Sequence, residues 1–197
     1  QGTSESVSSS ATSAVVDLTA PSAPSTPDLI TASDSGAADT DNLTNNKQPI
    51  FSGSAEADSS VELFAGSLSL GTTTANSLGE WLITLDEPSH FTDGSYAITA
   101  TAKDRAGNTS TASAALNLSI DASAPQFTST GTAAFTDDST NINQLIYTAL
   151  ATDNSLITYS LKTDNSDDAD LFSIDSVTGE VRLINSQDDG TQNSYHF

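Results

Sequence analysis

From Asp28 to Ile120 the chain alternates apolar and polar residues in short runs, and a glycine or a polar turn closes each run. Pro49–Gly53, Val61–Phe64, Leu68–Leu70, Trp81–Leu85, Tyr96–Ala102 and Ala114–Ile120 place β-branched or aromatic residues at every second position, the period of a strand with one buried face. The breaks fall at Gly53, Gly66, Gly79, Asp93-Gly94 and Gly107, a spacing that predicts an all-β sandwich. No window keeps a helical period. Phe51, Phe64, Trp81 and Tyr96 are the bulky members of these runs and are expected between the two sheets. Trp81, the only tryptophan, sits inside an apolar strand, which favours a core position over a ligand platform. Beyond Asp121 the pattern resumes as Ile146–Ala149, Leu156–Leu161, Leu171–Asp175 and Glu180–Ile184, with a hairpin turn at Val177-Thr178-Gly179. Ser194–Phe197 reads as the start of another strand. The fold class is all-β, as tandem antiparallel β-sandwiches.

A repeated phrase sets the boundaries. Asp17-Leu18-Thr19-Ala20-Pro21 returns as Asp121-Ala122-Ser123-Ala124-Pro125, 104 positions later, which is the length of one sandwich between two copies of a linker. Ser6, Ser9 and Ala11 stand at the same offset from Ser110, Ser113 and Ala115. Residues 1–26 are therefore read as a lead-in, the orphan last strand of a preceding repeat plus its linker. Residues 27–121 form the first domain, and residues 122–197 a second one that lacks at least one closing strand.

Charge narrows the function. The chain carries 26 acidic against 5 basic residues, a net charge of −21, and has no cysteine. Phosphate recognition needs a basic face, so nucleic acid and anionic membrane are not expected partners. A disulfide framework and thiol chemistry are ruled out. No apolar run reaches transmembrane length, so this segment is not expected to insert into a membrane. Twenty of the acids are aspartate, the shorter side chain that suits turns and hard-cation loops.

In an antiparallel sandwich successive connections alternate between its two ends, and this sorts the carboxylates. The N-terminal linker, the loop 55–60 and the turn 104–108 share one end, making Asp17, Glu56, Asp58 and Asp104 neighbours. The loop 34–42, the connection 86–94 and the exit linker meet at the other, gathering Asp34, Asp39, Asp41 and Asp121. Three loop aspartates and one linker aspartate, completed by carbonyls and water, supply the six to eight oxygens that calcium takes. The competing reading of Asp34, Asp39 and Asp41 is plain turn formation, which Asp and Gly favour in any case. Asp153-Asn154 is placed on the loop of the second domain that faces Asp121.

Phe51–Glu56, Gly79-Glu80-Trp81, Asp93–Tyr96 and Ala102–Ser110 together resemble the bacterial immunoglobulin-like repeat of giant RTX-type adhesins, over residues 28–125. Ala151-Thr152-Asp153, Ile157–Leu161 and Phe172–Val181 resemble a cadherin-like repeat, over residues 126–197. Where cadherins carry Leu-Asp-Arg-Glu, this chain has Gln187-Asp188-Asp189-Gly190, so Asp188 is retained as a candidate ligand without the glutamate. The resemblance implies type I secretion, a bacterial cell-surface location, neighbouring repeats of the same chain as partners, and Ca2+ at the domain junctions.

The expected function is thus a calcium-rigidified extender, monomeric, projecting a distal binding region toward a host surface or biofilm. The alternatives are a carbohydrate- or protein-binding module and half of a split domain framing an inserted ligand-binding domain. An accessory module of a secreted hydrolase is a further reading. Catalysis within the segment is not expected: His90 and His196 are the only histidines and neither lies in a nucleophile-base arrangement.

Overall fold

The computed structural model describes residues 15–85, 91–130, 143–162 and 169–184, and divides the chain into two compact units, Gln1–Ala122 and Ser123–Phe197. The described residues form thirteen strands and a single helical element, the three-residue 3-10 turn Ala169–Leu171. The fold is all-β.

In the first unit the strands are β1 (Asp28–Leu29), β2 (Leu43–Thr44), β3 (Ile50–Ser54), β4 (Ser60–Ala65), β5 (Leu68–Thr74), β6 (Glu80–Thr84), β7 (Gly94–Lys103) and β8 (Leu116–Ile120). They make a three-stranded sheet ordered β1-β3-β6 and a five-stranded sheet ordered β2-β8-β7-β4-β5. The first strand is thus divided: β1 pairs with β3, the chain crosses over through residues 30–42, and β2 pairs with β8 on the other sheet. β2 and β8 run parallel, whereas the other described ladders are antiparallel.

Strand parity decides what is buried. Val61 and Leu63 of β4, Ile98 and Ala100 of β7, and Leu118 of β8 are fully enclosed, and Phe51, Trp81 and Ile83 close the core from the smaller sheet. Gly53 lies opposite Trp81 in the β3–β6 ladder, and a Cβ there would land on the indole ring, so the glycine allows the close approach. Phe64 departs from expectation. It shares the parity of Ser60 and Glu62, stands in register with Ser69 and Thr99, and stays half-buried outside the core, because Leu63 takes the inward position. Phe91, which no strand pattern singled out, fills the core instead and packs edge-on against Tyr96 at 4.7 Å. The Tyr96 hydroxyl donates to the Thr92 carbonyl at 3.0 Å and accepts from the Thr92 amide at 3.1 Å, pinning the corner that feeds β7.

Strand β8 begins at Leu116 rather than Ala114 for a chemical reason. Ser110 and Ser113 each replace a stretch of ladder: the amide of Ser110 donates to the Ala102 carbonyl while its hydroxyl accepts from the Ala102 amide, and Ser113 repeats the arrangement on Ala100.

The second unit has β9 (Gln126–Phe127), β10 (Leu145–Thr148), β11 (Ala151–Thr152), β12 (Phe172–Ile174) and β13 (Glu180–Leu183), in a sheet ordered β10-β13-β12 and a pair β11-β9. Phe172, Val181 and Leu183 are its buried centre. The β12–β13 turn at 176–179 is the expected hairpin: Asp175 accepts from the amides of Val177 and Thr178, and Gly179 turns at φ +71° with its Cβ position against the Ala149 carbonyl. Residues 156–161 differ from expectation. Ile157, Tyr159 and Leu161 alternate with exposed neighbours as a strand would, yet they join no ladder among the described residues, and the Tyr159 amide donates to the Ser176 carbonyl. Ser194–Phe197 lies outside the described residues.

Truncating the fully buried Phe51 is expected to cost about 3–5 kcal/mol, from lost transfer free energy and the cavity left behind. Phe64→Ala, on the outer face, is expected to cost much less, and denaturant unfolding of the two variants checks the order.

Candidate metal-binding ends of the first sandwich

The loops at one end of the first unit bring Asp17, Glu56, Asp58 and Asp104 around a single open recess, with Arg105 on its rim. These carboxylates are not equally free. Asp104 Oδ1 accepts from the amides of Gly107 and Asn108, at 2.7 and 2.9 Å, and its Oδ2 accepts from Asn108 Nδ2 at 2.8 Å. The Asn108 side-chain amide, reinforced by these main-chain donors, holds the Asp104 carboxyl below its ordinary value. Asp104 is therefore the organiser of its own turn. Asp58 faces Arg105 at 3.4 Å across exposed surface, and Asp17 Oδ1 accepts from the Thr19 amide at 3.0 Å. Glu56 is exposed, and its main-chain carbonyl anchors the buried Ser59 hydroxyl at 2.7 Å.

The opposite end is organised by the crossover 30–42. A turn begun by Ile30 carries Asp34 inward, to 7% exposure. Asp34 Oδ2 accepts from the Asn42 amide at 3.2 Å, and its Oδ1 has no partner. Burial raises the Asp34 carboxyl above its ordinary value, and the neighbouring Asp41 and Asp39 carboxylates raise it further against the opposing Asn42 bond. Asp41 is partly spent on the loop, accepting from the amides of Leu43 and Ala38, while Asp39 is exposed. Ser35 ties this loop to β2 through Thr44, at 3.2 Å between hydroxyls.

The exit linker leaves from the same end. The Asp121 amide donates to the Thr44 carbonyl at 2.9 Å, and the Ala122 amide to Asp93 Oδ1 at 3.0 Å. Both carboxylate oxygens of Asp121 are enclosed and have no hydrogen-bond partner. Counting connections places Asp121 at this end, but the enclosure of its carboxylate is not visible in the sequence. Asp93 and Asn108 enter the sequence reading only within their turns, although their place beside Gly94 and Asp104 is a usable signal.

In the second unit Asp153 accepts from the Asn154 amide at 2.8 Å and from the Ser155 hydroxyl at 3.4 Å, so it too shapes its own loop. Asp188, His90 and His196 lie outside the described residues. Among the described residues no three carboxylate or imidazole groups stand close enough to share one ion. The donor set still suits a hard cation, since it is all oxygen and leaves Asp34 Oδ1 and both Asp121 oxygens without a partner, with water and carbonyls needed to complete any shell.

A sequence profile described as Bacterial Ig-like domain matches residues 19–122. No curated protein sequence matches the chain. Among solved structures it is similar to N-cadherin EC1-4 of Drosophila, with 20% identity over 75% of this chain and a TM-score of 0.33, and the aligned part is 39% of that longer chain.

Opposite pH signatures follow from Asp34 and Asp104. The folded state binds the Asp34 proton more tightly than the unfolded chain does, so ionised Asp34 costs stability at neutral pH and the cost disappears as pH falls toward about 4. Measured in chelator, Asp34→Asn is expected to melt a few degrees above the unaltered protein at pH 7, with the gap closing toward pH 4. Asp104 works the other way, because its lowered folded value stabilises the fold above about pH 4 and is lost only below it. Asp104→Ala is expected to melt lower at pH 7 and to converge with the unaltered protein only at the more acidic end.

Proposed function

The chain belongs to the bacterial Ig-like domain family, and on that premise we propose that it is an extender segment of a bacterial surface adhesin, stiffened by calcium at the ends of its domains. The observation that carries this reading is the set of enclosed carboxylate oxygens without hydrogen-bond partners, Asp34 Oδ1 and both oxygens of Asp121, at the end from which the exit linker departs. A buried carboxylate without a donor or counter-charge is costly, and a divalent cation removes that cost. With 26 acids against 5 bases, the chain has few cations of its own to offer.

Calcium acts twice in this scheme. It cancels repulsion among the aspartates, and it binds the folded ends in preference to the unfolded chain. Asp34 and Asp121 are the leading ligands at the exit end, with Asp39, Asp41 and Asp93 near them. At the entry end Asp17 and Glu56 lead, since Asp104 is engaged by its turn. The second unit is assigned to a cadherin-like repeat on its motifs. The segment is extracellular and non-catalytic, its partners are neighbouring repeats, and adhesion belongs to a distal region of the longer protein.

Thermal unfolding in chelator, then in millimolar calcium, with magnesium as the control, tests the proposal. At a hundredfold excess over Kd a single calcium site adds about 2.7 kcal/mol of stability. A calcium-specific rise that Asp121→Asn and Asp34→Asn each reduce supports the extender. Equal effects of the two ions, or none, make the aspartates ordinary surface charge and bring the ligand-binding alternative forward.

A further inference from the structure

The linker aspartate occurs twice, and the first unit shows one copy arriving and the other leaving. At the arriving end, Asn108 Nδ2 donates to the main-chain carbonyl of Asp17 at 3.2 Å, a bond that spans 91 residues of sequence. The same amide group donates to Asp104 Oδ2 at 2.8 Å, and the Asn108 main chain closes the turn with Asp104 through two further bonds. Asn108 is therefore held rigidly by the turn and reaches out from it to the linker. At the leaving end, the equivalent aspartate, Asp121, has its amide bonded to Thr44, while its enclosed carboxylate has no hydrogen-bond partner. The two ends engage different parts of the residue: the leaving end takes the main-chain amide, and the arriving end takes the main-chain carbonyl.

These halves are compatible in one molecule. We propose that Asn108 is the receiving half of a clasp between consecutive Ig-like repeats, in which a single linker aspartate is held by its main-chain amide at the exit of one repeat and by its main-chain carbonyl on the Asn108 turn of the next. The partner surface is thus the exit end of a preceding repeat of this same kind, presenting the segment that Ile120–Ala122 presents here. The inference rests on the extender reading for the existence of consecutive repeats, but the grip on the linker needs no metal. Ser110 and Ser113 recur as Ser6 and Ser9, each pair eleven and eight residues ahead of its linker aspartate, so the same sequence pattern precedes both linkers.

The test uses the whole 197-residue chain in chelator, so that its outcome is separate from the calcium titration. In the unaltered protein the side-chain amide protons of Asn108 are expected to exchange with solvent more slowly than those of Asn117, which is exposed on β8. In Asn108→Ala the Thr19 amide, bonded to the linker aspartate itself, is expected to exchange about five-fold faster, the equivalent of one hydrogen bond of about 1 kcal/mol. Exchange of the Asn108 side chain as fast as that of Asn117 overturns the clasp, and so does an unchanged Thr19 rate in a folded variant. Should the variant not fold, the through-hydrogen-bond scalar coupling between Asn108 Nδ2 and the Asp17 carbonyl carbon in the unaltered protein decides, and its absence overturns the clasp. Failure here leaves a calcium-dependent extender standing, and absence of a calcium effect leaves the clasp standing.

Discussion

An ionised carboxylate shut away from water without a counter-charge is among the most expensive groups a small β-sandwich can hold. Here the enclosed oxygens without a donor are Asp34 Oδ1, in the crossover that leads to β2, and both of Asp121, at the end of β8 where the linker departs. The fold arranges this deliberately in its geometry: the crossover 30–42 carries Asp34 inward on the way from one sheet to the other, and β8 delivers Asp121 directly to the sandwich rim. The unpartnered carboxylate oxygens thus gather at one end of the domain, while its middle is a cluster of buried apolar side chains. A protein built in this way couples its charge balance to whatever occupies its ends.

The contrast between aspartates is as informative as their number. Asp104, Asp175 and Asp153 look in sequence like any other loop acid, yet each accepts from donors in its own loop, and for Asp104 and Asp175 those donors hold the carboxyl below its ordinary value. Such residues shape turns. Asp34 has the opposite environment, one donor and two like charges, and its carboxyl is raised. Local hydrogen bonding, which residue type does not encode, separates structural acids from candidate ligands.

Much of the architecture was legible because alternation is a direct report of which face is buried. That held for β3 through β8 and for the β12–β13 hairpin. It failed where an element is too short to alternate, as with the two-residue β1 and β2, whose separate sheets are chosen by tertiary partners. At residues 156–161 the alternation of faces is as expected, but no ladder is seen among the described residues, since a period of two specifies faces and not a pairing partner. Phe64 shows the same limit, because its size suggested the core and its parity denied it. For the ends, counting connections was enough to bring Asp17, Glu56, Asp58 and Asp104 to one recess. The reach of Asn108 to Asp17 was not legible, because no local pattern couples residues 91 positions apart.

The parallel pairing of β2 with β8 has a mechanical meaning. When tension along the chain reaches these two strands, it draws β2 backward toward the N-terminus and β8 forward toward the C-terminus, along the strand direction. The bonds from the Ser119 amide to Asn42 and from the Asp121 amide to Thr44 are then loaded in shear and must yield together rather than unzip one at a time. A domain joined in this way resists being drawn out by its ends better than its modest number of hydrogen bonds implies, and Asp121 sits at the last of them.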